Sequence, residues 1–147
     1  ETRAAAELGR LQISTLDEFD RPLEINSVHL LLLSIGEYDI NIGDGEYARA
    51  NFYYPTPEQE IYGGILVLNG EFQPFNDNPV TFELLSEEGK TLGLRVINME
   101  AGVRAPFETN IPYDVDETTP TRLIIRQSDQ DFTGPVYLHS QIVILNP

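Results

Sequence analysis

Apolar and polar residues alternate with a period of two along most of the chain, which is the pattern of strands with one buried face. The clearest case is VTFELLS, residues 80–86, where Val80, Phe82 and Leu84 fall on one side. Similar patterns or strand-length apolar runs occur at RLQISTL (10–16), ARANFYYP (48–55), ILVLNGEF (65–72), TLGLRVINM (91–99), APFETNIPY (105–113), TRLIIRQS (121–128) and GPVYLHSQIVIL (134–145). Short strands at this spacing are typical of an antiparallel sandwich.

The most apolar stretch is EINSVHLLLLSIGEY, residues 24–38, which contains four consecutive leucines. Its length between turn signals favours a strand, and a continuous apolar run predicts that both faces of this strand are covered. Only ETRAAAELG, residues 1–9, is predicted to be helical, because it is rich in alanine and ends in glycine.

Clusters of turn-forming residues separate these strands. NDNP (76–79) supplies side chains that cap their own backbone, followed by a proline that starts the next strand. EEGK (87–90) predicts a hairpin turn with its glycine at positive φ. PTPE (55–58) is a stiff break, so we expect an N-terminal β-rich segment at 1–57, adding strands or a small subdomain, and an immunoglobulin-like β-sandwich at 58–147.

Four segments in the last ninety residues carry a family resemblance: LVLNGEF (66–72), NPVTFELLSEEGKTLG (78–93), APFETNIPY (105–113) and GPVYLHSQIVILNP (134–147). From Ile61 onward the chain resembles the immunoglobulin-like module of bacterial spore-germination and other cell-surface proteins, the Gmad2-type domain. SDQDFTG (128–134) replaces a KDG-like turn of that family. The resemblance implies a non-catalytic, extracytoplasmic module and brings no catalytic residues with it.

Charge narrows the range of partners. The 147 residues include 24 acidic and 9 basic ones, for a net charge of −15, and Lys90 is the single lysine. Such a surface repels phosphate backbones and anionic lipid heads, so nucleic acid is not an expected partner. No apolar run reaches the roughly 20 residues of a membrane helix, so membrane insertion is not expected either. The chain has no cysteine, which excludes disulfides and thiolate chemistry.

No residue pattern indicates a catalytic site. His29 and His139 both lie in strand-like runs, and along a strand Ser140 points away from the face that carries His139. The carboxylate clusters in LDEFD (16–20), DVDE (114–117) and SDQD (128–131) fall in predicted turns, where aspartates usually cap backbone amides. We therefore predict structural or surface histidines and a protein that is not an enzyme.

Calcium is the one ligand that the acidic turns suggest, because it prefers oxygen ligands on loops. The weak metal candidates are Asp114, Asp116, Asp129 and Asp131. The strand at 121–128 would hold the two pairs roughly 25 Å apart, so they are not expected to share an ion. Residues 39–50 fit an EF-hand loop at two positions but lack the required glycine and glutamate. We expect no cofactor, with calcium at either pair as the alternative.

Aromatic residues give the predicted interaction surface. Phe52, Tyr53 and Tyr54 are consecutive, so at least one ring should point outward, and Tyr62 follows nearby among prolines. The alternative is that these rings pack the joint between the N-terminal segment and the sandwich.

The sequence thus predicts an acidic, secreted or cell-surface β-sandwich with a structural, adhesive or protein-interaction role. Its partner would be another protein or further copies of itself, in a surface assembly or filament. The N-terminal segment would either cover a sheet edge or add a strand to a neighbouring subunit. The alternative is a carbohydrate-binding sandwich, with or without a dependence on calcium, which the aromatic residues and acidic loops suggest.

Overall fold

The computed structural model describes residues 6–36 and 48–147. These residues form ten strands and no helix, so the all-β prediction is confirmed. The strands are β1 (Ala6–Leu16), β2 (Pro22–Leu33), β3 (Ala50–Tyr54), β4 (Glu60–Ile61), β5 (Ile65–Phe72), β6 (Val80–Ser86), β7 (Thr91–Ile97), β8 (Ala105–Pro112), β9 (Thr119–Ser128) and β10 (Pro135–Leu145). Most of the rejected EF-hand segment at 39–50 lies outside the described residues.

Two sheets face each other as a β-sandwich. The larger sheet has the order β1-β2-β10-β9-β6-β7, with the short β4 paired in parallel to the end of β10. The smaller sheet has the order β3-β5-β8 and is antiparallel throughout. The strands that precede residue 58 therefore join both sheets: β1 and β2 extend the larger sheet, and β3 is an edge of the smaller one.

The hydrophobic core lies between the sheets and follows the alternation in the sequence. On β6, Val80, Phe82 and Leu84 are fully buried, as the pattern predicted. The rings of Phe82 and Phe107 lie 5.0 Å apart between the two layers. The other fully buried apolar side chains are Leu66, Leu68, Phe72, Ile111, Leu123, Ile125, Val136, Val143 and Leu145.

One glycine allows two strands to approach closely. A Cβ on Gly70 would lie 2.2 Å from the carbonyl oxygen of Asn51 on β3 and 2.9 Å from the Phe107 ring. Both distances are shorter than any real Cβ contact, so the β3–β5 pairing requires glycine at this position.

The predicted turns are present where the sequence placed them. Gly89 has a φ of +83° in the turn between β6 and β7. In the turn before β6, the Asn78 N–H donates to Asn76 Oδ1 at 3.0 Å. Asp17 Oδ1 likewise accepts the N–H groups of Phe19 and Arg21, both at 2.9 Å. The capping role expected of turn Asn and Asp side chains is confirmed here.

Two predictions about the N-terminal part are wrong. Residues 6–9, expected to be helical, lie in β1, because the ladder of pairs with β2 outweighs the helix preference of alanine; residues 1–5 lie outside the described part. The leucines of β2 are not covered on both faces, since Leu30 through Leu33 are 40–65% exposed.

Candidate interaction site

β1 and β2 form a two-stranded ribbon that extends past the beginning of β10, the next strand of the larger sheet. β1 and β2 pair along their whole length, from Ala6 opposite Leu33 to Leu16 opposite Pro22. β10, however, pairs with β2 only from Glu24 to Asn26. The ladder from Ser27 to Leu33 has no third strand within the described residues and is about 24 Å long at about 3.4 Å per residue. We call residues 6–13 and 26–35 the arm.

The arm carries exposed apolar side chains on both of its faces. Because opposite residues of an antiparallel pair share a face, the register sorts the side chains into two sets. One face, which we call the leucine face, carries Leu11, Ile13, Val28, Leu30 and Leu32, with exposed fractions of 40–69%. The other face carries Leu8, Leu31 and Leu33, with exposed fractions of 45–65%.

Among the residues that the structure describes, the arm is uncovered because the two sheets differ in width. The larger sheet continues two strands beyond β10, to β2 and β1, whereas the smaller sheet has no described strand beyond β3. The β3 side chain Phe52 lies 5.9 Å from the ring of His139 on β10, so β3 is stacked over β10. A continuous apolar run in a sequence fits both a strand that is buried on two faces and an exposed ribbon. The sequence pattern therefore could not distinguish these two structures.

Three side chains fasten the arm to the loop between β9 and β10. Arg10 Nη1 donates to Asp129 Oδ2 at 2.8 Å, and His29 Nε2 lies 3.0 Å from the same oxygen. Arg10 Nη2 also donates to the Thr133 carbonyl at 3.2 Å. We call Arg10, His29 and Asp129 the latch. Arg10 and His29 are opposite each other in the ladder, and both lie on the side of the arm that is opposite the leucine face.

Aromatic rings enclose the latch. The His29 ring meets Phe75 and Phe132 edge to face, with centroids 5.0 Å and 5.4 Å apart. The Arg10 guanidinium lies 5.3 Å from the Phe132 ring, in a cation–π contact. The Asp129 side chain has no exposed surface. Burial strengthens the attraction between Asp129 and its partners, and it makes the removal of one partner costly because a buried charge is then left unpaired.

The Asp129 carboxylate is held in its charged form. Burial raises its pKa, but hydrogen bonds from His29, from the Asp131 N–H and from Arg10 outweigh burial and hold the pKa well below its usual range. The Asp131 N–H donates to Asp129 Oδ1 at 3.0 Å. One oxygen of Asp129 thus shapes its own loop, while the other binds the arm.

The latch overlaps the predicted metal candidates Asp129 and Asp131. His29, Asp129 and Asp131 each offer a ligand atom, and these atoms lie within 4.8 Å of one another. A cation bound there would have to displace the Arg10 guanidinium from Asp129 Oδ2. The contacts therefore favour an ion-paired joint at this cluster, and calcium binding stays a prediction.

The other two metal candidates lie elsewhere. Asp114 and Asp116 are exposed in the connection between β8 and β9, and all of β9 separates them from Asp129.

The predicted aromatic surface is split between the core and solvent. Phe52 and Tyr54 are partly buried and pack against the main core. Tyr53, between them on β3, is 53% exposed, and Tyr62, just after β4, is 62% exposed. Alternation along β3 explains the first difference, because neighbouring side chains on a strand point to opposite faces.

His139 also meets an acid. Its Nδ1 lies 3.2 Å from Glu24 Oε1, and both residues line a cavity of about 230 Å³ together with Arg49 and Tyr137. Burial raises the pKa of the Tyr137 phenol to about 12, so that hydroxyl stays protonated at neutral pH. Ser140 points away and donates to the Leu23 carbonyl. Glu24 and His139 thus have no serine beside them for nucleophilic chemistry.

A larger cleft lies at the other end of the β1–β2 hairpin. It has a volume of about 440 Å³, an apolar wall that includes Leu85 and Ile142, and an arginine pair fixed by one carboxylate. Arg21 Nε and Arg122 Nη2 both donate to Asp17 Oδ2 at 2.8 Å. Burial raises the pKa of Asp17, but these donors and the backbone N–H groups it caps hold the pKa well below its usual range.

Sequence reasoning singled out His29 and Asp129 but did not bring them together, and it missed Arg10. The pairing of Arg10 with His29 follows from the register that the turn at 17–21 sets. If the residues on either side of that turn had been paired as an antiparallel hairpin, Arg10 would have been placed opposite His29. The contact with Asp129 spans a hundred residues or more and has no local pattern.

No family model matches the chain, and no curated protein is detectably similar to it. Within residues 6–36 and 48–147, no helix is long and apolar enough to cross a membrane.

Proposed function

We propose that this protein is a non-catalytic interaction module of the cell surface that binds another protein through the arm. The observation that carries the proposal is the leucine face, which holds five apolar side chains with half or nearly half of their surface in solvent. Soluble proteins rarely leave a contiguous apolar patch uncovered unless it binds something. An isolated two-stranded ribbon is also marginally stable in water, so a partner that covers it would stabilise it.

The latch supports a binding role because it orders the arm before any partner arrives. Arg10 and His29 tie the ribbon to Asp129 on the body of the sandwich. A surface held in its bound shape loses less conformational entropy on binding than a free segment does. β1 also lies at the end of the larger sheet, where its outer edge carries backbone groups that a partner strand could pair with.

Site-specific photocrosslinking tests the proposal. A benzoylphenylalanine at Leu30 on the leucine face is compared with one at Val96 on β7, which is also an exposed apolar position on an edge strand. In an extract of the source cells we expect a discrete protein adduct from position 30 and none from position 96. Equal adducts from both positions, or none from either, would contradict the proposal.

A further inference from the structure

We propose that the partner of the arm is a second copy of this chain, and that two arms pack with the leucine face of each against that of the other. This inference rests on the proposed function, since it names the protein that the arm binds. Three properties of the arm support it: the area of the face, the distribution of charge and the position of the latch.

The area is sufficient for a specific dimer. The five side chains of the leucine face are Leu11, Ile13, Val28, Leu30 and Leu32. At these exposed fractions they present on the order of 500 Å² of apolar surface, and with the surrounding backbone and polar groups the face approaches the roughly 800 Å² per partner of a standard interface. Sheet faces that pack on each other bury apolar side chains in the same way inside a sandwich.

The charge distribution allows two copies to meet at the arm. Each copy carries a net charge of −15, so two copies repel each other wherever acidic surfaces approach. Within the arm, Glu7 is the single carboxylate, and Arg10 is already paired with Asp129. Glu7 is opposite Leu32, so the leucine face carries this one carboxylate near its end, and its other described side chains are uncharged.

Three acidic turns lie away from the arm, whereas the acidic turn at 128–131 is the one to which the latch fastens it. Eight carboxylates occupy the turns at 17–20, 87–88 and 114–117. The strand register places these turns beside the end of β10, because Leu145 is opposite Thr119 and Thr121 is opposite Ser86. The arm continues past the beginning of β10, at the opposite end of the sheet. Contact through the arms thus keeps these eight carboxylates of one copy away from those of the other.

The latch selects which face is used. Arg10 and His29 lie on the face that also carries Leu8, Leu31 and Leu33. The Phe132 ring, in the loop between β9 and β10, contacts both residues and covers part of this face. Among the described residues, no ion pair or ring contact involves the apolar side chains of the leucine face. A two-fold contact requires one surface that is complementary to itself, and an apolar face whose one charge, Glu7, lies near its end meets that requirement.

The experiment measures the mass of the purified full chain by sedimentation and light scattering up to about 100 µM. Leu30→Glu/Leu32→Glu changes the leucine face, and Leu94→Glu/Val96→Glu is the matched control, since both control positions are 49% exposed on the edge strand β7. Circular dichroism and urea unfolding establish that both variants keep the fold. Each sample is also tested for flotation with vesicles of neutral phosphatidylcholine.

We expect the wild type and the control to have twice the 16.6 kDa mass of one chain. The arm variant should be monomeric, with a dissociation constant raised by roughly 100-fold or more. Raising NaCl from about 0.05 M to about 0.5 M should tighten the wild-type dimer, because salt screens repulsion between acidic copies and leaves apolar contacts in place.

A wild-type chain that stays monomeric would overturn this inference, and so would a dimer that survives in the arm variant. Loss of the dimer in the β7 control alone would assign the contact to β7 instead. A monomer that floats with vesicles through its arm would make a bilayer the occupant. The crosslinking experiment distinguishes the two proposals. If the arm crosslinks to a different protein and the pure chain is monomeric, the proposed function is supported, and the inference that the partner is a second copy of this chain is rejected.

Discussion

At the scale of single residues, Asp129 connects two parts of the protein that are distant in sequence. Oδ1 accepts the Asp131 N–H and shapes the β9–β10 loop, while Oδ2 accepts from Arg10 and lies against His29. Because its side chain is fully buried, any loss of these partners leaves a carboxylate without solvation. The position of the arm therefore depends on this one carboxylate.

Asp129→Asn should loosen the arm and destabilise the protein by roughly 2 kcal/mol, since a neutral amide forms weaker hydrogen bonds with Arg10. Hydrogen exchange should show faster exchange of the amides in the arm than of those in the core strands. Asp131→Asn is the control, because Asp131 is half exposed and lies 3.7 Å from His29; its effect should stay below about 0.5 kcal/mol. Equal effects of the two substitutions would show that the latch has no special role.

The pH dependence of stability should reflect the same group. The folded-state pKa of Asp129 is below the unfolded value of about 3.9, so its contribution is fully present above about pH 4. The contribution is lost as the pH falls further, through the lower pKa of the folded state. In urea unfolding, the difference in free energy between wild type and Asp129→Asn should be constant near neutral pH and shrink below about pH 4. A difference that persists unchanged at pH 2 would contradict this assignment.

Gly70 makes a different prediction about a single residue. Gly70→Ala should cost roughly 3 kcal/mol or more, because the new Cβ would overlap the Asn51 carbonyl. Gly89→Ala should cost only about 1 kcal/mol, since Gly89 has a positive φ but open space around it. Thermal unfolding of both variants measures the difference. Similar losses would mean that β3 can move away from β5 at little cost.

At the scale of elements, the sequence predicted the positions of the strands better than it predicted which strand faces are covered. The period-two segments from 65 to 145 became β5 to β10, because alternation and turn residues are local properties. The run from Val28 to Leu33 was also read correctly as a strand, but whether a strand is covered depends on the width of the opposing sheet. That width is set by pairings such as β3 with β5, which no local pattern contains.

The energetic difference between a core strand and the arm can be measured directly. Leu84→Ala on β6 should cost about 3 kcal/mol, because it leaves a cavity in a fully buried site. Leu31→Ala on the arm should cost less than about 0.5 kcal/mol in the monomer, because Leu31 is mostly exposed. The comparison requires urea unfolding at a concentration where the chain is monomeric. A large loss at Leu31 would mean that the arm is covered within its own chain.

At the scale of the whole molecule, charge and shape act together. A net charge of −15 keeps the sandwich soluble but also produces repulsion within the folded chain. We expect NaCl at about 0.5 M to raise the free energy of unfolding by about 1 kcal/mol through screening. Urea titrations with and without salt would detect this, and the Asp129–Arg10 pair should contribute little to the change because it is shielded from the ions. A decrease with salt would indicate that attractive surface pairs dominate.

The sequence predicted the class of fold, which the structure shows, and a protein-contact surface at Phe52, Tyr53, Tyr54 and Tyr62, which stays a prediction. Aromatic residues are good predictors of interfaces in general, yet alternation directs two of these rings into the core. The apolar arm was hidden because hydrophobic residues are expected inside. A surface of this kind becomes visible only when the exposed fraction of each side chain is known.

The way in which the leucine face is used also limits how far an assembly can grow. When one patch serves both members of a pair, each copy hides the patch of the other, and none is left for a third molecule. Assembly then stops at a dimer, with the acidic ends of the two copies pointing outward. A longer array would require some further contact, elsewhere on the sandwich, that tolerates this charge.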